Sequence, residues 1–556
     1  MKRVPAMIMG GIVVFYLVNA ILAHHGLVNF AMNGSELSER RLEEAYECLG
    51  CPTLGGILNF CGGGVYPPGY LLGSSLILHV LGKDWLLMNL AHNTFYLSLL
   101  LVFIFLLGKE IKDEKAGLLS CLLVSLYPLI YGSYSLFSTE FASTSILVMS
   151  IYFLYRSRFF RHTGWSMLCA LSCGWGMMTK DPFAAFFAGP ALYGAGTAVR
   201  QAFKRGPKPL LNLFLFAMIL GIVISPYYLN RAAFVIHGLS HEPSGVPWNS
   251  FANVRFFTIG LWEHQLTPPL FLVLCAGAFC FVRAAEPETK FILFSWILIP
   301  NLILFFMPHW KTPRDLLPQL PALAIISSFG LRRALAKGYG RLLLGAVVLI
   351  GTWQYYAITY GVGLAWLDSY PPLGYFRQFN GLTDTNPTRG QLKEHGEVMR
   401  GLGDALRKGL SGVLPRKAHP GPYRVVMLDN RDGEFHFQMY ETYLWFGDSN
   451  ITSKMRDIFA DPSVMRGLAQ EIGSFDFLLY PNKEGDGEFG DERYLDVFRQ
   501  EYEFVKKRQG ANPQRSVRSN DWELYRAAWN SLRPRLKPLG VIHRRGEFRY
   551  LLYKVV

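Results

Sequence analysis

Three short stretches, far apart in the chain, carry charged side chains beside long apolar runs: Ser138-Thr139-Glu140, Thr179-Lys180-Asp181-Pro182, and His309-Trp310-Lys311-Thr312-Pro313-Arg314-Asp315. Carboxylates and cations are costly near hydrocarbon, so charges kept there need a reason. One reason is group transfer from a phosphate ester. A phosphate leaving group needs cations more than it needs a proton, while an attacking hydroxyl needs a carboxylate to take its proton. Lys180, Lys311 and Arg314 are candidates for holding the phosphate, and Glu36, Glu140 and Asp181 for the proton. Each also has a plainer reading. Glu140 can cap a helix N-terminus, Lys180 can snorkel beside Asp181, and Arg314 with Asp315 can be a surface pair.

A second concentration lies in residues 29–70, which end in Tyr66-Pro67-Pro68-Gly69-Tyr70. Two consecutive prolines fix φ and remove two donors, so the chain arrives extended and a new helix starts there. Tyr66, Tyr70 and His309 are candidates for contacting a substrate. Before the corner stand Glu36, Glu39, Glu43, Glu44 and Glu47 with Arg40 and Arg41, a pattern expected for an amphipathic helix over 36–47 whose acids form a solvated face. His24, His25 and His92-Asn93 read as packing or interhelical hydrogen-bonding residues. Cys48, Cys51 and Cys61 share this loop, enough for one disulfide with one thiol over. They lack an evident fourth metal ligand, and no metal site is expected.

The elements that position these residues are apolar. Of 556 residues 51% are hydrophobic and 17% charged, against about 25% charged in ordinary globular chains. The mean hydropathy of +0.20 averages two unlike halves. Residues 1–361 form a membrane domain with a first outer loop at 29–85, and residues 362–556 a soluble domain. A span needs about 20 mostly apolar residues. About eleven are expected, near 6–28, 86–107, 116–133, 138–155, 165–179, 182–199, 210–229, 266–283, 291–308, 316–334 and 342–361, and residues 68–82 are expected to dip against the membrane face. With the N-terminus inside, inner loops hold 18 Lys and Arg and outer loops 8. The N-terminus is therefore expected in the cytoplasm and, with an odd span count, the C-terminal domain outside. Loop placement accounts for much of the net charge of +14, so nucleic acid is not an expected partner. The first residues resemble a signal peptide without a small-residue cleavage site, which reads as an uncleaved anchor.

In the soluble part, 424–428, 475–480 and 550–553 read as strands, and 394–409, 462–472 and 519–532 as helices, giving a small α/β domain. The glycines at 485, 487 and 490 lack the spacing of a phosphate loop.

Read in order, the motifs resemble the GT-C superfamily of polytopic glycosyltransferases, in the family 39-like branch containing protein O-mannosyltransferases and the lipid A aminoarabinose transferase. The resemblance covers roughly residues 5–335. It rests on Tyr66-Pro67-Pro68-Gly69-Tyr70, Gly108-Lys109-Glu110 through Lys115-Ala116-Gly117-Leu118, Ser138-Thr139-Glu140, Gly174 through Pro182, and Lys311 through Ala322. It implies a GT-C bundle that transfers a sugar from a polyprenyl-phosphate carrier to an envelope glycan, lipid or protein on the outer face of the inner membrane. The lipid-linked sugar would be a substrate rather than a cofactor. Carried over residue by residue, it points to Lys180, Lys311 and Arg314 near the donor phosphate and to Glu140 where Asp is common. One base with cations fits direct displacement with inversion, without the second acidic carboxyl of a hydrolase. Three positions depart from the pattern. His24-His25 stand near the usual Asp-Glu pair, Tyr66 replaces a Lys, and Asp315 takes the place of a Tyr. Two other classes of function compete with this reading. A transporter should place charge near the bilayer midplane, and a scaffold would not depend on the rim acids.

Overall fold

The computed structural model describes residues 3–24, 39–50, 53–63, 67–82, 85–134, 137–241, 249–258, 260–306, 313–360, 423–429, 451–457, 477–483, 530–545 and 548–555. The chain divides into two compact units, Met1–His25 with Ala31–Arg389, and Gly26–Phe30 with Gly390–Val556. The boundary expected after Gly361 falls outside the described residues.

The first unit is helical. It begins with α1 (Arg3–His24), followed by three shorter helices. In α2 (Glu39–Gly50), Leu42 and Ala45 are buried while Glu47 is exposed, the amphipathic pattern expected of this stretch. Next come α3 (Leu54–Gly63) and α4 (Gly69–Leu81), which starts directly after Pro67-Pro68. At 13 residues α4 is shorter than the roughly 20 that a crossing needs.

After α5 (Trp85–Ile111), the Asp113 carboxylate accepts the Ala116 amide at 2.9 Å and opens α6 (Glu114–Leu126). α6 and α7 (Pro128–Tyr134) meet at 68°. Pro128 is the cause, because it removes a donor and forces Tyr127 into extended backbone at φ −75°, ψ 124°. Then follow α8 (Thr139–Arg156), α9 (Thr163–Met177), α10 (Phe183–Arg205), α11 (Lys208–His241) and α12 (Phe251–Thr258). The unit continues through α13 (Pro268–Ala284), α14 (Pro287–Phe306), a 3-10 helix at Pro313–Gln319, α15 (Leu320–Leu335) and α16 (Gly340–Tyr360).

Each of the eleven expected spans overlaps a helix or, at 116–133, the bent pair α6–α7. Among the described residues, four helices (α1, α5, α11 and α14) are individually long and apolar enough to cross a membrane, or five counting the bent pair. Of the others, α9, α13 and α15 are shorter, and α8 differs for a physical reason. α8 packs against α5, α9 and α10 and buries Ser143, Thr144, Ser145 and Ser150, and Ser150 Oγ donates to Ser172 Oγ of α9 at 3.0 Å. A helix enclosed by others tolerates hydroxyls that a lipid-facing one does not. α11 shows the opposite pattern, exposing Leu211, Phe214, Ile222 and Leu229. The protein is a multi-pass membrane protein.

In the second unit the described residues form a mixed five-stranded sheet of β1 (Tyr423–Asp429), β2 (Ile451–Asp457), β3 (Phe477–Lys483), β4 (Leu536–Arg545) and β5 (Phe548–Val555). The order is β2-β1-β3-β5-β4, with β1 parallel to β2 and β3, and β5 antiparallel to β3 and β4. The expected strands at 424–428 and 550–553 lie inside β1 and β5, and that at 475–480 overlaps β3. β2 and β4 were not expected. β4 contains Pro538 and Gly540, which read as breakers and sit where its register shifts against β5. The expected helices 394–409 and 462–472 lie outside the described residues, and of 519–532 only residues 530–532 are described, as helix.

Candidate active site

Glu140 is the point at which three separate elements of the first unit meet. Ser138 caps α8, its hydroxyl accepting the Phe141 amide at 3.4 Å, which places Glu140 in the first helical turn. The side chain is only 2% exposed. Its Oε1 accepts from Lys180 Nζ at 2.6 Å and lies 3.4 Å from Arg314 Nε. Its Oε2 accepts from Ser138 Oγ at 3.0 Å and from Thr139 Oγ1 at 3.2 Å. A buried carboxylate is tolerable when cations and hydroxyls engage both oxygens, and that is the state of Glu140. Two cations share this one anion.

Lys180 stands in the turn between α9 and α10. Its amide and that of Thr179 both donate to Gly176 O at 3.0 Å, and Thr179 Oγ1 donates to Trp175 O at 2.9 Å. Gly176 is required here because a Cβ would lie 2.2 Å from the Phe183 ring. The turn is also clamped from α4. The Gly69 amide donates to Met178 O at 2.6 Å, and a Cβ on Gly69 would approach that oxygen to 2.7 Å. Cys61, Met178 and Tyr227 are buried together on the same side. The proline corner thus ends against the turn that carries Lys180.

Arg314 and Asp315 begin the 3-10 helix Pro313–Gln319. Its far end is pinned by Trp296 Nε1 donating to Pro318 O at 3.0 Å, and by Gln319, which donates to Gln265 Oε1 at 2.8 Å and accepts from Asn301 Nδ2 at 2.5 Å. Beside the cluster opens a small cleft of ≈ 30 Å³, lined by Glu140, Ser143, Lys180, Asp315 and Pro318 together with the apolar Phe183, Phe186 and Leu304. A lining that mixes charged and apolar side chains suits an amphiphile with an anionic head.

Of the residues singled out in the sequence, Glu140, Lys180 and Arg314 come together. Asp181 points elsewhere, its Oδ1 accepting from the Tyr228 hydroxyl at 2.7 Å. Tyr70 is fully buried, its ring 4.6 Å from those of His92 and Phe137, and is not part of the cleft lining. His92 bonds Ser74 Oγ at 3.0 Å, the interhelical role expected of it. Glu36, Tyr66, His309 and Lys311 lie outside the described residues. Cys48 is a free thiol, Cys61 is buried, and Cys51 lies outside the described residues. Among the described residues no group of three or more His, Cys, Asp or Glu is placed to hold a metal ion.

Sequence reading singled out neither Ser143 nor the apolar lining, and gave Asp315 as a departure from the family pattern and, in the plainer reading, as a surface partner of Arg314. Ser143 follows Glu140 by three residues on a helix and so shares its face, a signal that was available. Leu304 and Phe186 carried none, because an apolar residue in an apolar run does not announce which side meets a cleft.

Residues 66–227 match the model of the dolichyl-phosphate-mannose-protein mannosyltransferase family, which is less than a third of the chain. In fold the chain is similar to the crystal structure of ArnT from Cupriavidus metallidurans in the apo state, with a TM-score of 0.56 at 13% identity over 98% of each chain. It is also similar to ArnT from Cupriavidus metallidurans bound to undecaprenyl phosphate, with a TM-score of 0.58 at 12% identity over 97% of each chain. No curated protein matches the chain in sequence. The helical-bundle fold expected from the motifs is shared with these structures.

Proposed function

From the GT-C fold of this chain, we propose that it is an integral-membrane glycosyltransferase moving a sugar from a polyprenyl-phosphate donor to an envelope glycan, lipid or protein. The observation that carries the reading is the convergence of Lys180 and Arg314 on Glu140 at the wall of a cleft lined in part by apolar side chains. In such a transfer the acceptor hydroxyl attacks the anomeric carbon, the bond to the phosphate oxygen breaks, and negative charge grows on the departing polyprenyl phosphate. Cations fixed beforehand in a poorly hydrated site stabilise that charge without reorganising. A guanidinium has five N–H donors, so the contact with Glu140 does not exhaust Arg314.

Glu140 in this reading is the anchor of the two cations. With both its oxygens engaged, it is ill suited to accept a proton from the acceptor. Lys311 and His309, adjoining Arg314 in sequence, are proposed as further donor contacts, and Glu36 and Tyr66 as parts of the acceptor side. The positive-inside distribution supports a cytoplasmic N-terminus and a site on the outer face of the inner membrane. The likeness to a structure bound to undecaprenyl phosphate supports a carrier of that class.

The test is mass spectrometry of envelope lipids, glycans and glycoproteins from cells with and without the full chain. One species is expected to lose a single sugar in its absence. Identical profiles would contradict the reading.

A further inference from the structure

The helices that start at the Glu140 cluster have their far ends at a second charged surface. α8 runs 18 residues, about 27 Å at 1.5 Å per residue, and α10 runs 23 residues from Phe183 to Arg205, about 35 Å. The hydrocarbon core of a bilayer is about 30 Å thick, so the turns at those far ends lie at the opposite membrane boundary. We propose that the α8–α9 and α10–α11 turns together form a binding surface for the anionic headgroup of a phospholipid in the leaflet opposite the cleft. The proposal rests on the multi-pass helical fold and not on the transferase reading. The surface carries Arg158 and Arg161 from the first turn and Arg200, Lys204, Arg205 and Lys208 from the second, all exposed except the half-buried Arg161. Among the described residues none of the six forms an ion pair. The carboxylates at this end do not offset them. Glu110 and Asp113 are committed to Arg156 and Arg332, and Glu114, Glu286 and Glu288 pair with none of the six.

The two turns are built as one. Arg158, Phe159 and Phe160 have φ of 50°, 56° and 68°, a left-handed run that residues other than glycine adopt only at a cost. Two buried rings and one hydrogen bond hold it in place. Phe159 packs on Tyr193 of α10 with ring centres 5.3 Å apart, Phe160 packs on Phe216 of α11 at 5.2 Å, and Asn212 Nδ2 of α11 donates to Phe160 O at 2.8 Å. The reversal sends both rings inward and leaves Arg158 outside, at the end where α11 begins. A preference for cations on one side of the membrane is met by any placement there. It does not call for a strained turn docked on α11. The border of the surface points to the occupant. Phe203, 89% exposed, stands beside Lys204 and Arg205, and Leu211 and Phe214 are exposed within two helical turns of Lys208. Unpaired cations that give way to exposed apolar side chains match the boundary between lipid phosphates and acyl chains, which a soluble partner does not offer.

The experiment titrates the purified full chain, in uncharged detergent, with phosphatidylglycerol or phosphatidylcholine and reads bound lipid by native mass spectrometry. Lys204→Gln/Arg205→Gln/Lys208→Gln removes half of the surface. Arg333→Gln/Lys337→Gln/Arg341→Gln removes as many exposed cations from the α15–α16 turn and serves as the control. The wild type is expected to bind phosphatidylglycerol at least roughly tenfold more tightly than phosphatidylcholine, a preference that shrinks in high salt. The first triple variant should lose at least roughly tenfold in phosphatidylglycerol affinity, and Arg158→Gln alone roughly threefold, on the scale of the attraction between each Lys or Arg and an anionic surface. Both should keep the wild-type unfolding temperature in phosphatidylcholine, and the control triple should bind phosphatidylglycerol within about twofold of wild type. Equal binding of the two lipids by the wild type would overturn the proposal. So would undiminished phosphatidylglycerol binding in the first triple variant or in Arg158→Gln, and so would an equal loss in the control, which would mark net charge in place of a built surface.

Discussion

Two kinds of ion pair occur in the helical unit, and they are built from the same groups to different ends. Glu110 meets Arg156 at 2.8 Å with side chains 35% and 47% exposed, and Asp113 meets Arg332 with side chains 33% and 39% exposed. These pairs tie α5 to α8 and the start of α6 to α15 where water still reaches them. Glu140, Lys180 and Arg314 are 2%, 14% and 18% exposed, and Glu140 and Lys180 line a cleft. The solvated pairs are staples, each dispensable. The desolvated cluster makes little sense as a staple, because burying charge costs more than a hydrophobic contact would. Its cost is explicable if the cations are there to meet a third, anionic group.

That contrast can be broken by experiment, and the largest effect is expected on transfer. Lys180→Ala removes the closest partner of Glu140 and one of the cations proposed to hold the phosphate. Sugar transfer measured on the envelope product should fall at least roughly a hundredfold, the scale of losing one preorganised electrostatic group. Next in size is stability. Glu140→Ala leaves two cations facing each other in a poorly hydrated site, and loss of one partner of a buried pair costs about 3–5 kcal/mol. Thermal unfolding of the purified protein in detergent should show it.

The staples should respond far less. Burial alone would raise the Asp113 carboxyl, but the hydrogen bond from Arg332, with those of the Ala116 amide and the charges of Arg332 and Lys112, outweighs it and holds the group below the usual carboxylate range. A lowered value in the folded state means the contribution is present at neutral pH and is lost as pH falls through that lowered value. Asp113→Asn should therefore cost at most about 1 kcal/mol at pH 7 and should flatten the acid side of the stability profile. Smallest of all, Glu110→Gln should change stability by no more than about 0.5 kcal/mol, and less still in high salt. A loss at Glu110 as large as that at Glu140 would erase the distinction between the two regions.

The sequence announced these regions unequally. Apolar length placed each expected span over a helix or, at 116–133, the bent pair α6–α7, because the bilayer sets a length that composition can be read against, yet among the described residues only four of those helices, or five with the pair, are individually long and apolar enough to cross. It also placed Glu140, Lys180 and Arg314 on the list, because charge beside apolar sequence is conspicuous. What it could not show was which carboxylate is saturated and which borders open space. That depends on Ser138 and Thr139 curling back onto Glu140 and on Tyr228, 47 residues from Asp181, reaching its carboxylate. Tyr70 looked like a substrate contact because it follows the prolines, yet helix direction turns it into the packing around His92. In the sheet, β2 reads Ile-Thr-Ser-Lys-Met-Arg-Asp, with neither an apolar run nor a clean alternation to mark it.

The most direct test of the phosphate-holding cluster is the affinity of the purified full chain for undecaprenyl phosphate, compared among wild type, Lys180→Ala and Arg314→Ala. Each variant is expected to bind at least about tenfold more weakly, equivalent to about 1.4 kcal/mol, with Glu110→Gln unchanged as the control from the other region. Undiminished binding in both Lys180→Ala and Arg314→Ala would contradict the assignment of the buried cations to the donor.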